Sequence, residues 1–363
     1  MIKILTVVGA RPQFIKAAAI SRVVQSKYAD SIEEVLVHTG QHHDENMSSV
    51  FFSELGIPNP RYNLKISGGT HGAMTGKMLE GIESLILSEK PDWVLVYGDT
   101  NSTLAAALAA AKQHIPVAHV EAGLRSFNMR MPEEINRIVA DRLSTLLLCP
   151  THSSTENLAQ EGLKNGVHMV GDVMYDISLF YRDKAKQQSD AIDRLGLKEG
   201  GYVLTTCHRA ENTDDPVRLA SIMKALAIIA KESAVVLPLH PRTRKLIAQH
   251  HLQETLENVK LVDPLPFLDM VRLEQSAKVI LTDSGGVQKE AFFYGVPCVT
   301  MRDETEWMET VDAGWNTLVG ANTDAIIQAF HNSSSQKRNS VSPYGHGNAA
   351  ELCLEAILQA SSR

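Results

Sequence analysis

Short β-branched apolar runs alternate with longer stretches of helical period along nearly the whole chain, and this alternation limits the fold more than any other feature. A strand, a helix and a second strand of the same buried kind require a crossover connection, so the strands lie parallel with both faces covered. Ile4–Val8, Glu34–His38, Val94–Tyr97, Val117–Val120, Leu146–Cys149 and His168–Val170 form a first series. A connecting region, 171–201, is helical and then rich in Gly and Lys. The alternation restarts with Tyr202–Thr206, Val235–Leu239, Val259–Val262, Val279–Leu281 and Val296–Met301. Asp92–Gly123 and Lys278–Glu306 share one layout: strand, Asp-bearing turn, Ala-bearing helix, Pro, strand. At 363 residues the chain is long enough for two cores. The expectation is an α/β protein of two facing Rossmann-like domains, 1–172 and 173–347, followed by a helix over 348–359. In such sheets ligands sit outside the carboxyl ends of the strands. The polar residues at those ends are Arg11, Gln41, Asp99, Glu121, His208, His240 and Ser284, which places them around one cleft.

The clearest local signal is Val279–Glu306. An apolar strand breaks at Thr282-Asp283-Ser284-Gly285-Gly286, and a helical pattern begins at once and closes at Gly295. Glycines let backbone N–H groups approach a phosphate, and the helix N-terminus adds about half a positive charge. A glycine pair also suits a plain turn, but with the helix behind it the stretch reads as a nucleotide diphosphate site. Glu290, one turn on, would repel a phosphate. It is either an acceptor for ribose hydroxyls or a solvated helix face.

If the second half holds a nucleotide, the first half should hold the group that changes. It offers Arg11 and Lys16 after the first strand, Asp99 after the third and Glu121 after the fourth. Pro132-Glu133-Glu134 opens a helix, where the acids either serve the macrodipole or serve chemistry. Carboxylates gathered in one cleft repel, which raises at least one pKa and makes a usable acid or base. Arg11, Arg125 and Arg137 could hold the others ionised or bind a leaving diphosphate. His208, beside Arg209 and Glu211, ends the first strand of the second half.

Other classes are poorly supported. A net charge of −7 argues against nucleic acid as a partner. No run approaches the ~18 apolar residues of a membrane span, and the N-terminus enters a strand without a signal-peptide layout. Cys149, Cys207, Cys298 and Cys353 are scattered, without zinc or disulfide spacing, which reads as a reduced, cytosolic protein. The turn Gly9-Ala10-Arg11-Pro12 lacks a dinucleotide fingerprint. The residues point to acid–base chemistry on a nucleotide-linked group that they do not name.

The ordered motifs GARPQFIK, TGQH, YGDTNST, HVEAGLRS, MPEEINR, HRAEN, LPLHPR, LTDSGGVQKEA and MRDETEW resemble those of non-hydrolysing UDP-N-acetylglucosamine 2-epimerases over essentially the whole chain. The resemblance implies a glycosyltransferase-type double Rossmann fold, a homodimer, a last helix packed toward the first domain, and neither metal nor redox cofactor. UDP would leave with the C-2 proton to give a held glycal, then add back after protonation of the opposite face. Asp99, Glu121 and Glu133 would be the acid–base set. Arg11 and His208 would stabilise the leaving diphosphate, and Lys16 would meet the reacting sugar. Ser284, Gly285, Gly286 and Glu290 would hold UDP phosphate and ribose, with Phe267 near the uracil and Arg137 and Arg302 among the substrate contacts.

The chain departs from that family in two places. The segment between Arg125 and Pro132 is short and carries Arg130, and Ser67–His71 lacks the Arg-Gln pair through which some members bind an activating UDP-GlcNAc. GARPQFIK with SFNMRMPEEINR looks most like the branch acting on UDP-2,3-diacetamido-2,3-dideoxy-glucuronate for surface polysaccharide. Arg130 is then the expected partner of the uronate. UDP-GlcNAc itself as substrate, a hydrolysing epimerase, a glycosyltransferase of the same fold and a UDP-sugar sensor are the other readings.

Overall fold

The computed structural model describes residues 1–41, 58–334, 337, 339 and 341–362; His42 of the TGQH motif and parts of the polar loop after Asn332 lie outside them. The chain forms two compact units, Met1–Ile177 with Ser342–Arg363, and Ser178–Val341. Each is a Rossmann-like domain around a wholly parallel sheet.

The first unit contains β1 (Ile2–Val8), β2 (Ile32–His38), β3 (Tyr62–Asn63), β4 (Trp93–Tyr97), β5 (Val117–Val120), β6 (Leu146–Cys149) and β7 (Val167–Met169). Their spatial order is β3-β2-β1-β4-β5-β6-β7. Every residue of β4 is buried, as a strand covered on both faces requires. On one face Leu5, Val7, Val94 and Val96 pack with Met78, Ile82 and Ile86 of helix His71–Glu89. That helix carries Gly72, Gly76 and Gly81, each costing about 1 kcal/mol relative to Ala. Its apolar face at four-residue spacing and the Thr70 cap, which accepts from the Ala73 N–H, sustain it. Strand order reverses between β1 and β4, which is where a sheet of this kind opens a crevice for ligands.

The second unit contains β8 (Tyr202–Thr206), β9 (Ala234–Pro238), β10 (Lys260–Val262), β11 (Val279–Thr282), β12 (Cys298–Thr300) and β13 (Asn316–Leu318), in the order β10-β9-β8-β11-β12-β13. The winding repeats that of the first unit, with its reversal between β8 and β11. The two segments that share one layout in sequence, β4–helix–β5 and β11–helix–β12, occupy the same place in the two sheets. Tyr62–Asn63 and Asn316–Leu318 are edge strands too short to show in the sequence. No described helix is long and apolar enough to cross a membrane.

The division between units falls inside helix Val173–Gln188. Its first turn is tied to the chain terminus: the Asp176 carboxylate accepts from the N–H groups of Ala349 (3.1 Å) and Ala350 (2.8 Å), at the start of helix Ala349–Ser361. At its far end the Trp93 indole donates to Ser361 Oγ at 2.8 Å, and Lys27 of helix Arg11–Lys27 pairs with Glu351. Burial, opposed by these backbone bonds, pushes the Asp176 carboxyl up from 3.8 to about 6. Between those values the folded chain keeps a proton that the unfolded chain has released, so stability falls as pH rises through the window. The unfolding free energy of the wild type minus that of Asp176→Asn should therefore decrease from pH 3.8 to about 6 and level off above it. Denaturant titrations at several pH values measure this, and a constant difference would contradict the assignment.

Candidate active site

In the first unit a cavity of about 200 Å³ lies at the crevice between β1 and β4, lined by residues of both turns and by Lys16, Gln41, His71, Pro132, Glu133 and Asn136. Gln13 shapes its floor. Its Oε1 accepts from the Gly9 and Ala10 N–H groups at 2.8 and 3.1 Å. Its Nε2 donates to the Tyr97 carbonyl at 2.7 Å and to Thr103 Oγ1 at 3.0 Å. One buried amide thus fixes the turn after β1 against the turn after β4.

Above this floor Lys16 Nζ is paired with Glu121 Oε2, and their side chains are 14% and 5% exposed. Glu121 has φ +67°, a left-handed conformation that costs a non-glycine residue about 1 kcal/mol or more. Gly98, at φ +60°, passes over the pair. A Cβ there would stand 3.2 Å from Glu121 Oε2 and 3.5 Å from Lys16 Nζ, a tight approach in a conformation that favours glycine. The next residue, Asp99, lines the cavity and pairs with Arg137.

Adjacent acids on helix Pro132–Leu143 have different fates, because successive helical residues point about 100° apart. Glu133 is exposed and lines the cavity. Glu134 is 1% exposed and gathers four donors: Ser126 N–H and Oγ at 2.9 Å, Phe127 N–H at 2.9 Å and Arg137 Nη1 at 2.6 Å. Burial works to raise its pKa, but Ser126, Arg137 and Phe127 together hold the carboxyl below its usual range. The loop from Ser126 is therefore tied through Glu134 and Arg137 to Asp99. Arg130, on that loop, is exposed.

Beneath β5 a second network is buried around His119, Asp141 and Arg125 and reaches half-buried Glu161. His119 Nε2 lies 2.7 Å from the Gly98 carbonyl, and Nδ1 lies 2.8 Å from Asp141. Asp141 also takes Arg125 Nη1 at 2.7 Å and the Gly123 N–H at 3.1 Å, and Arg125 continues to Glu161 at 2.6 Å. Burial opposes ionisation of Asp141, yet His119 and Arg125 keep it lowered. Of the two readings open to Arg125 in the sequence, holding carboxylates or binding a diphosphate, the structure shows the first: it is committed to two carboxylates. It braces the turns that carry Asp99 and Glu121.

In the second unit the site forms at the crevice between β8 and β11. Asp283, fully buried, accepts from the N–H groups of His208 (3.0 Å) and Arg209 (3.0 Å) and from Asn212 Nδ2 (3.3 Å). It places His208, whose side chain is 46% exposed, beside the start of helix Gly285–Tyr294. The two glycines differ in surroundings: a Cβ on Gly285 would make ordinary contacts of 3.4–3.9 Å with Trp307, Glu306 and Arg209, whereas one on Gly286 would meet only Ser284 Oγ at 3.9 Å. Gly285 faces neighbouring side chains, and Gly286 faces the open helix mouth. Arg302 is 3% exposed and held by Glu211 and Glu306, so it stands as a brace behind that mouth. Phe267 is buried edge-on against Tyr181, with centroids 5.0 Å apart. Glu290 is half-buried, with Glu274 close enough for their charges to interact; burial and then the Glu290 charge push the Glu274 carboxyl far up.

Sequence reasoning did not single out Gln13, His71, Asn101, His119, Asn136 or Asp141. Gln13, Asn101, His119 and Asn136 stand inside GARPQFIK, YGDTNST, HVEAGLRS and MPEEINR, His71 opens a helix, and Asp141 carries no such signal.

Comparison with known proteins gives the class. Residues 25–358 match the family model for UDP-N-acetylglucosamine 2-epimerase. The chain is 54% identical over 361 residues to the UDP-2,3-diacetamido-2,3-dideoxy-D-glucuronate 2-epimerase of Pseudomonas aeruginosa, covering 98% of this chain and 99% of that protein. The solved UDP-GlcNAc 2-epimerase of Methanocaldococcus jannaschii, in complex with UDP-GlcNAc and UDP, superposes with a TM-score of 0.88 at 42% identity, covering 99% of this chain and 100% of that one. The Neisseria meningitidis enzyme bound to UDP-GlcNAc gives 0.89 at 33% identity with the same coverage. The chain belongs to the UDP-N-acetylglucosamine 2-epimerase family and is an enzyme of that isomerase class.

Proposed function

We propose that the protein inverts C-2 of a UDP-sugar without hydrolysing it, and that its substrate is UDP-2,3-diacetamido-2,3-dideoxy-glucuronate. The observation that carries the chemistry is the cluster in the first unit, where Asp99, Glu121 and Glu133 converge around Lys16 and Gly98. The substrate assignment rests on the 54% identity to the Pseudomonas aeruginosa enzyme. The cytoplasm as the place of reaction and a homodimer as the working form follow from the family resemblance.

The C-2 hydrogen is not acidic while C-1 carries an intact bond to the diphosphate. Cleavage of the C-1–oxygen bond sends its electron pair to the UDP β-phosphate oxygen and leaves a cationic carbon, which a carboxylate stabilises. A second carboxylate takes the C-2 proton, and the C–H electron pair becomes the C-1–C-2 double bond of the glycal. Protonation of C-2 from the other face and return of UDP to C-1 complete the inversion, with every atom conserved. Asp99, Glu121 and Glu133 supply the carboxylates. Lys16 steadies Glu121 and the sugar, while Arg11 and His208 take up charge on the departing diphosphate. Ser284, Gly286 and the helix mouth hold the phosphate, Glu290 the ribose, and Phe267 borders the uracil. Arg137 and Arg302 act on the substrate through the carboxylates they hold. No activating UDP-GlcNAc is required, since Gly69 and Thr70 stand where activated relatives carry charge.

Epimerisation in deuterated water with UDP-GlcNAc or the diacetamido-uronate should place deuterium at C-2 of a product that still carries UDP. Retained hydrogen, released free sugar, or transfer to an acceptor would each refute the mechanism; mass and NMR spectra distinguish them.

A uronate has a carboxylate that needs a cationic partner, ideally a guanidinium. The exposed Arg130 is the partner assigned to it. Arg130→Ala should lose activity on the diacetamido-uronate by about 1.5–3 kcal/mol, the worth of a charged hydrogen bond, and keep its activity on UDP-GlcNAc. Equal losses on both sugars, in steady-state kinetics, would remove Arg130 from substrate recognition.

A further inference from the structure

We infer that His71 is a specificity residue of the sugar pocket, donating its Nε2–H to an acetamido carbonyl of the substrate. The inference rests on the UDP-sugar reading above and adds which group of the sugar is read and by what.

The argument is one of hydrogen-bond direction. The backbone carbonyl of Asp99 can only accept, so the Asn136 nitrogen that lies 2.9 Å from it is an NH₂ donor. The same Asn136 Nδ2 lies 3.2 Å from Asn101, which must present its carbonyl oxygen there. That orients the other end of the Asn101 amide, its NH₂, toward His71 Nδ1 at 3.1 Å. A ring nitrogen facing an amide donor must accept, so the ring proton resides on Nε2. The tautomer of His71 is thus set three links away, by the peptide of a residue assigned to the chemistry. Asn101 and Asn136 are 5% exposed each, so water competes little for this relay.

His71 lines the same cavity as Lys16, Asp99 and Glu133, and is itself exposed. With Nδ1 occupied, Nε2–H is its remaining polar group. A fixed single-proton donor suits a carbonyl or hydroxyl oxygen better than a carboxylate, which gains most from a full positive charge. The UDP-sugars of this family carry an acetamido group on the carbon that is inverted, and its carbonyl is the strongest neutral acceptor they offer.

Gln is the informative replacement: its Oε1 can accept from Asn101 while its Nε2 donates into the cavity, reproducing both halves of the imidazole. Calorimetric affinities of wild type, His71→Ala and His71→Gln would be compared for UDP, UDP-glucose, UDP-GlcNAc and the diacetamido-uronate, alongside C-2 deuterium exchange. The expected result is a five- to tenfold loss by His71→Ala for the two acetamido sugars, about the size of one neutral hydrogen bond. UDP and UDP-glucose should bind all three proteins alike, and His71→Gln should recover the acetamido sugars to within about threefold of wild type. Normal wild-type exchange with unchanged His71→Ala affinities, or an equal loss for UDP-glucose, overturns this inference alone. A wild type that neither binds the sugars nor exchanges C-2 overturns the functional reading beneath it.

Discussion

The site in the first unit depends on one buried ion pair. Lys16 stands on helix Arg11–Lys27, Glu121 follows β5, and both are almost withdrawn from solvent. Leaving either charge without the other would cost about 3–5 kcal/mol. Their proximity dictates much of what surrounds them. Glycine is favoured at position 98, which passes over the pair, Glu121 is held in a left-handed conformation, and Gln13 locks the turn that delivers Lys16's helix. Because strand order reverses between β1 and β4, the two turns diverge and leave the cavity between them.

The other carboxylates are handled in the same manner, each with a cation of its own. Asp99 has Arg137, which also serves Glu134, and Asp141 has Arg125 and His119. These pairs gather several acids into one small region. Among the described residues no cation is paired with Glu133, on the cavity wall. In the second unit Asp283 uses backbone N–H groups instead, and so shapes the loop that carries His208. One winding thus supports two strand-end crevices: one rich in ion pairs, the other opening at a helix mouth.

Much of this was legible in the sequence. The strand runs, the paired layouts around Asp99 and Ser284, and the ordered motifs gave the two domains and the family. The missing parts have physical reasons. Helix His71–Glu89 was hidden by three interior glycines that depress propensity, although Met78, Ile82 and Ile86 keep its core face. The edge strands β3 and β13 are two and three residues long. Glu133 and Glu134 look alike in sequence, and only the helix rotation and the loop at Ser126 separate cavity wall from buried anchor. Arg125 and Arg302 resemble anion ligands until their carboxylate partners, distant in sequence, are seen. His71 drew notice only for what its neighbourhood lacked.

The central claim is that the carboxylates of the first unit carry the proton chemistry while the second unit holds the nucleotide. It is tested most directly by measuring turnover and UDP affinity in Asp99→Asn, Glu121→Gln, Glu133→Gln and Glu290→Gln. The account predicts that the first three lose about 10²- to 10⁴-fold in turnover with UDP affinity little changed, and that Glu290→Gln chiefly weakens UDP binding. Near-normal turnover in all three first-unit variants would contradict it.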